Sequence, residues 1–132
     1  MYNVNYNKLC TDVFSIDYSI RFASVYTKSG DMVGGGMRGD RESLLRPEEA
    51  TMSHYYSRQM FEIRKNLSHI IGKEKYSMSE HAEVMMITVP LEDDNLLFIS
   101  IEPKSNHCQI IEHVLKVVEN HSTKIGSALG GI

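Results

Sequence analysis

The sequence predicts a single α/β domain, of the α+β kind, in which helices cover both sides of a sheet. Two runs, Val84 to Val89 and Leu96 to Ile101, are apolar almost without interruption, as strands covered on both faces are. Two other segments, 47–71 and 106–119, repeat apolar residues at helical spacing. Turn-rich stretches separate these elements, and the order that results is α-β-β-α-β-β-β-α. The 132 residues, 42% hydrophobic and 23% charged, suffice for one core, so one domain over 1–122 is expected with a tail at 123–132.

Before residue 19, Leu9, Val13 and Ile16 recur at four- and three-residue spacing, which predicts a short helix with a frayed, Asn-rich start. Ile20 to Tyr26 (IRFASVY) is rich in β-branched and aromatic residues, Lys28-Ser29-Gly30-Asp31 has turn chemistry, and Met32-Val33 resumes the apolar run. A β-hairpin is expected there. Gly34-Gly35-Gly36 should end its second strand, because glycine offers a sheet no side chain.

Pro47 with Glu48 and Glu49 suits the first turn of a helix, which is predicted to run to about Ile71. Met52, Tyr56, Ile63, Leu67 and Ile70 fall on one stripe of it, with Tyr55, Met60 and Ile71 at the margins, and this stripe is expected to face the core. Phe61 lies opposite Met52, among His54, Ser57, Arg64, Lys65 and Ser68, where a monomer would expose it. It is therefore a candidate contact residue.

Tyr76 and Met78 alternate with Lys75, Ser77 and Ser79, as in an edge strand with one wet face. Glu92-Asp93-Asp94-Asn95 is the turn between the two central strands. Asn106 and Gln109 form a capping pair for the last helix, whose broad apolar arc (Ile110, Ile111, Val114, Leu115, Val117, Val118) should dock on the sheet. The closing SALGGI has neither period nor charge.

Composition and motifs exclude more than they select. A net charge of −3, from 14 basic and 17 acidic residues, gives no general attraction for nucleic acid or anionic lipid. No apolar run approaches the ~20 residues of a membrane span, and MYNVNYNKLC lacks the order of a signal peptide, so a cytoplasmic location without membrane contact is expected. Cys10 and Cys108 belong to no C-x-x-C pair and are expected to be reduced.

His81-Ala82-Glu83 is similar to the H-x-E element of zinc deaminases, but no P-C-x-x-C follows and VMMITV beyond it reads as strand. The six histidines make no helical metal pair, and the eight methionines fall largely where core residues should be. The glycine run lacks the Lys-Ser/Thr ending of a phosphate loop. Arg38-Gly39-Asp40 carries no weight, and Arg38, Asp40, Arg41 and Glu42 read as loop charges. With no nucleophile, base and orienting group at recognisable spacing, the expectation is a protein that is not an enzyme and uses no cofactor or metal.

The element order resembles the roadblock (dynein light chain-like) domain, with longin and profilin-like domains as close rivals. The matches are a short helix before IRFASVYTKSGDMVGGG, which is similar to that family's strand, glycine turn and strand; the long middle helix; and antiparallel strands closed by the helix in PKSNHCQIIEHVLKVVE. The chain also resembles short proteins of ammonia-oxidising archaea. The roadblock resemblance implies a five-stranded antiparallel sheet with the long helix on one face and the two terminal helices on the other. It further implies a homodimer that pairs through the middle helix and neighbouring edge strand, serving as a regulatory platform for a small GTPase or another protein. On this chain it places Phe61, Arg64, Ser68, Tyr76 and Met78 near the partner. The alternative is a small-molecule sensor with a pocket between the sheet and the middle helix, lined by Tyr55, Tyr56, Met60 and the central strands.

Overall fold

The computed structural model describes residues 5–130, with side chains through residue 122. The elements are α1 (Tyr6–Phe14), β1 (Ile20–Tyr26), β2 (Met32–Met37), α2 (Pro47–Lys65), the single turn α3 (Ser68–Ile71), β3 (Ser77–Glu80), β4 (Met85–Pro90), a 3-10 turn (Glu92–Asp94), β5 (Leu96–Ile101) and α4 (His107–Gly130). The five strands form one sheet in the order β2-β1-β5-β4-β3, and every neighbouring pair is antiparallel. The terminal helices α1 and α4 pack together on one face, and α2 crosses the other. This is the α+β architecture expected.

The core lies almost wholly on the face of the terminal helices. Leu9, Cys10 and Val13 of α1 and Ile110, Ile111 and Val114 of α4 close over Ala23, Val25, Ile87, Val89, Leu97 and Ile99. Each buried Leu, Ile or Val side chain among them contributes about 1.5–3 kcal/mol by leaving water. No residue of α2 belongs to this cluster. The continuous apolarity of β4 and β5 therefore marks central position in the sheet more than equal cover on both faces.

Both terminal helices start on side-chain caps. Asn5 Oδ1 accepts from Lys8 N at 3.0 Å, so α1 begins on a cap where fraying was expected. Gln109 N donates to Asn106 Oδ1 at 3.3 Å, and Asn106 Nδ2 donates to Gln109 Oε1 at 3.2 Å, the pairing read from sequence. The backbone of α4 runs on to Gly130, through most of the segment read as a tail.

The glycine run corrects a second expectation. Gly34, Gly35 and Gly36 do not end β2; they sit inside it, paired with Val25, Ser24 and Ala23. The reason is the close approach of α1 and of the neighbouring strand β1. A Cβ on Gly34 would fall 2.8 Å from Tyr6 Cβ, and one on Gly35 would fall 2.0 Å from Ala23 O and 2.8 Å from Cys10 Sγ. Asn7 Oδ1 then accepts from Gly35 N at 3.0 Å, fastening helix to strand. Glycine here permits close backbone packing.

The middle helix is shorter than its periodicity suggests. It opens as expected, with Pro47 in the first turn and Glu49 Oε1 accepting from Arg46 N at 2.9 Å. It ends at Lys65, where Asn66 and Leu67 N–H groups turn to the Ile63 and Arg64 carbonyls in tighter, three-residue bonds. α3 follows as a separate turn and stops at Gly72, whose φ of +90° favours glycine.

Candidate functional site

The apolar stripe of α2 faces away from the sheet, the reverse of the sequence expectation. Met52, Tyr56, Met60, Ile63, Leu67 and Ile70, with Tyr55 and Ile71 beside them, are each between 45% and 72% exposed. The polar side of the helix meets the protein instead. His54 stacks on Phe98 with ring centroids 4.4 Å apart and leans on Tyr26 at 4.2 Å. Arg58 donates to the carbonyls of Asp94 and Tyr26, and Lys65 Nζ donates to both carboxylate oxygens of Asp94 at 2.8 Å.

These anchors explain the orientation. The sheet face under α2 presents Phe22, Tyr26, Thr88, Phe98 and Ser100, a mixed surface that suits histidine, serine and arginine. Asp93 and Asp94 both adopt left-handed backbone angles, φ +59° and +61°, and so turn Asp94 toward the helix. Its hydrogen bond to Lys65, aided by the charges of Lys65, Lys28 and Arg58, holds the Asp94 carboxyl below its ordinary range, and the same bond raises Lys65. Burial pushes the His54 imidazole down to about 4, so it is neutral at pH 7.

The five candidate contact residues divide accordingly. Phe61 is half-buried on the inward side of α2, between the cations of Arg58 at 5.8 Å and Lys65 at 5.9 Å, and is not the exposed aromatic expected. Arg64 reaches Glu74 at 3.5 Å, tying α2 to the segment that leads into β3. Ser68 Oγ donates to Lys65 O at 2.8 Å and closes the end of α2. Tyr76 and Met78, 42% and 37% exposed, remain open at the β3 edge of the sheet. The periodicity of α2 was real but its direction was not legible, since helical periodicity reports an apolar face without saying what covers it.

Eight large side chains at these exposures present on the order of 800 Å² of mostly apolar surface along α2 and α3. Monomeric proteins rarely leave so much in one patch.

Beneath α2 the packing is open. A cavity of about 130 Å³ lies between the helix, residues 43–45 and the sheet, with Phe22, His54, Met86 and Phe98 among its walls. A cleft of about 400 Å³ on the other flank of the helix shares Tyr26, His54 and Phe98 and adds Tyr55 and Arg58. The central strands line the cavity as expected, Tyr55 lines only the flanking cleft, and Tyr56 and Met60 point outward with the stripe.

Among the described residues no three His, Cys, Asp or Glu side chains gather as metal ligands, and His81 pairs with Ser79 Oγ at 3.0 Å in a turn. Both cysteines are free; burial pushes the Cys10 thiol up to about 11, and Cys108 is exposed. No described helix is long and apolar enough to cross a membrane.

The fold is similar to that of Myxococcus xanthus MglB, with a TM-score of 0.69 at 13% identity over 97% of this chain and 99% of that one. It is similar to a Roadblock/LC7 domain from Streptomyces avermitilis, with a TM-score of 0.65 at 8% identity over 90% of this chain and 96% of that one. An MglB described in a tetrameric arrangement gives 0.64 at 10% identity, over 92% and 95% of the two chains. Identities this low speak for the fold, which is of roadblock type. No curated protein matches the sequence. The model of DUF6659, a family of unknown function, matches residues 1–126, and the chain belongs to that family.

Proposed function

We propose that the chain is a non-enzymatic interaction module that pairs with a second copy of itself through the outward face of α2 and serves as a regulatory platform in the cytoplasm. The observation that carries this is the uncovered apolar stripe. Its extent, on the order of 800 Å², is what one partner contributes to a standard interface. The stripe carries no acid or base of its own, so two copies can meet across a two-fold axis without burying an unpaired charge.

The edge strand β3 extends the same reading. It has one neighbour, β4, and presents Met78, with Tyr76 just before its first residue, so a second copy could also pair along it. The tetrameric arrangement described for a structurally similar MglB supports self-association as a habit of this architecture. A small GTPase is the class of regulatory partner that the roadblock resemblance suggests. Phe61, Arg64 and Ser68 take a supporting part, holding α2 in the pose that displays the stripe.

Ile63→Asp tests the reading by light scattering. The wild type is expected at twice the chain mass, and the variant at the chain mass with its fold retained, because Ile63 touches no core residue. A wild type that stays at the chain mass at high concentration would overturn it.

A further inference from the structure

We propose that the 130 Å³ cavity under α2 is a binding site for a small neutral aromatic molecule carrying a hydroxyl group, of the phenol class. The inference is independent of self-association, since no residue of the outward stripe's centre lines this cavity.

Size comes first. The volume is comparable to the roughly 150 Å³ cavity that admits benzene, so one six-membered ring fits. Shape comes from the aromatic wall. Phe22, His54 and Phe98 all line the cavity, with His54 stacked on Phe98 at 4.4 Å and lying within 21° of Phe22, and an aromatic occupant packs against this group of rings. Met37 and Met86 add soft, polarisable walls that favour an aromatic edge.

Polarity follows from the groups left over. His54, Ser57 and Thr88 line the cavity, and among the described residues the imidazole of His54 and the side-chain hydroxyls of Ser57 and Thr88 have no hydrogen-bond partner. Thr88 is buried, so an occupant that satisfies such groups is favoured over an apolar one. A hydroxyl serves best, because it can donate to one nitrogen tautomer or accept from the other. Charge is disfavoured. Arg21 is the only ionised side chain in the wall, and its guanidinium is already committed to Glu102 at 2.8 Å and to the Glu42 carbonyl at 3.0 Å.

The test uses phenol as probe, with benzoate and cyclohexanol as comparators, followed by NMR titration of the full chain. Benzoate keeps the ring and adds charge; cyclohexanol keeps the hydroxyl and loses the flat face. Phenol is expected to bind saturably, shifting resonances of β1, β5 and α2, with both comparators at least tenfold weaker. Ser57→Leu fills the cavity and should weaken phenol at least tenfold. His54→Phe keeps a ring in place, removes the hydrogen bond and should weaken phenol about fivefold, which keeps the proposal testable if Ser57→Leu does not fold. Absence of saturable phenol binding, equal affinity for the three probes, or affinity unchanged in both variants would each overturn the assignment.

Discussion

Lowering the pH from 7 to 5 should destabilise this protein through His54 alone among its strongly shifted groups. Burial against Phe98 and Tyr26 sets the folded imidazole near 4, against an ordinary value of 6.5. The unfolded chain therefore binds the extra proton between those limits. Stability from this group is complete above pH 6.5 and falls as the pH drops toward 4. Two and a half pH units correspond to about 3 kcal/mol, and because the ring retains some solvent contact, screening lowers this to about 2 kcal/mol. About half of that, roughly 1 kcal/mol, should be lost by pH 5. Asp94 does not confuse the result, since its depressed carboxyl titrates only at more acidic pH. Urea unfolding of wild type and His54→Phe, at matched protein concentration and at both pH values, gives the difference directly. The wild type should lose roughly 1 kcal/mol more than the variant. Parallel losses in the two proteins would show that His54 is not buried neutral under α2.

Two further outcomes follow from the packing. Gly35→Ala should destabilise by more than 3 kcal/mol or prevent folding, because its Cβ would strike Ala23 O of β1 and Cys10 Sγ of α1 in a backbone conformation at φ +86°; a variant with wild-type melting would refute the close approach of these two elements to Gly35. Asp94→Ala removes the carboxylate that Lys65 grips, while the Arg58 bond to the residue 94 carbonyl remains, so amide exchange should quicken severalfold in the C-terminal half of α2 and stay unchanged in β5. Unchanged exchange in α2 would show that the clamp does not hold the helix.

The legible parts of this fold are those governed by local pattern. Leu9 and Val13, the IRFASVY strand, the two apolar runs and the Asn106–Gln109 cap all declare themselves within a few residues, and the structure places them as expected. The glycine run was misleading because the contacts that require it, with α1 and with the backbone of β1 at Ala23, are made in three dimensions and leave no trace around Gly35 in the sequence. The middle helix was misleading for a different reason. Its stripe from Met52 to Ile70 is real, but a stripe buried by a sheet and one reserved for another surface look alike in one dimension. What could have raised the alternative is the opposite face, where His54, Arg58 and Lys65 have definite partners in Phe98, Tyr26 and Asp94. Phe61 then belongs with those anchors and Ile63 with the exposed stripe.

The most direct test of self-association asks whether the stripe is wet in solution. Methyl-labelled Met and Ile residues can be exposed to a soluble paramagnetic relaxation agent, with Ile99 as the buried reference and the single-site variant Ile63→Asp as the dissociated control. Pairing predicts that the methyls of Met52, Met60 and Ile70 are shielded nearly as well as Ile99 in the wild type and become relaxed by the agent in the variant. Strong relaxation of the same methyls in the concentrated wild type would mean that the face of α2 stands open to water, and would contradict the account.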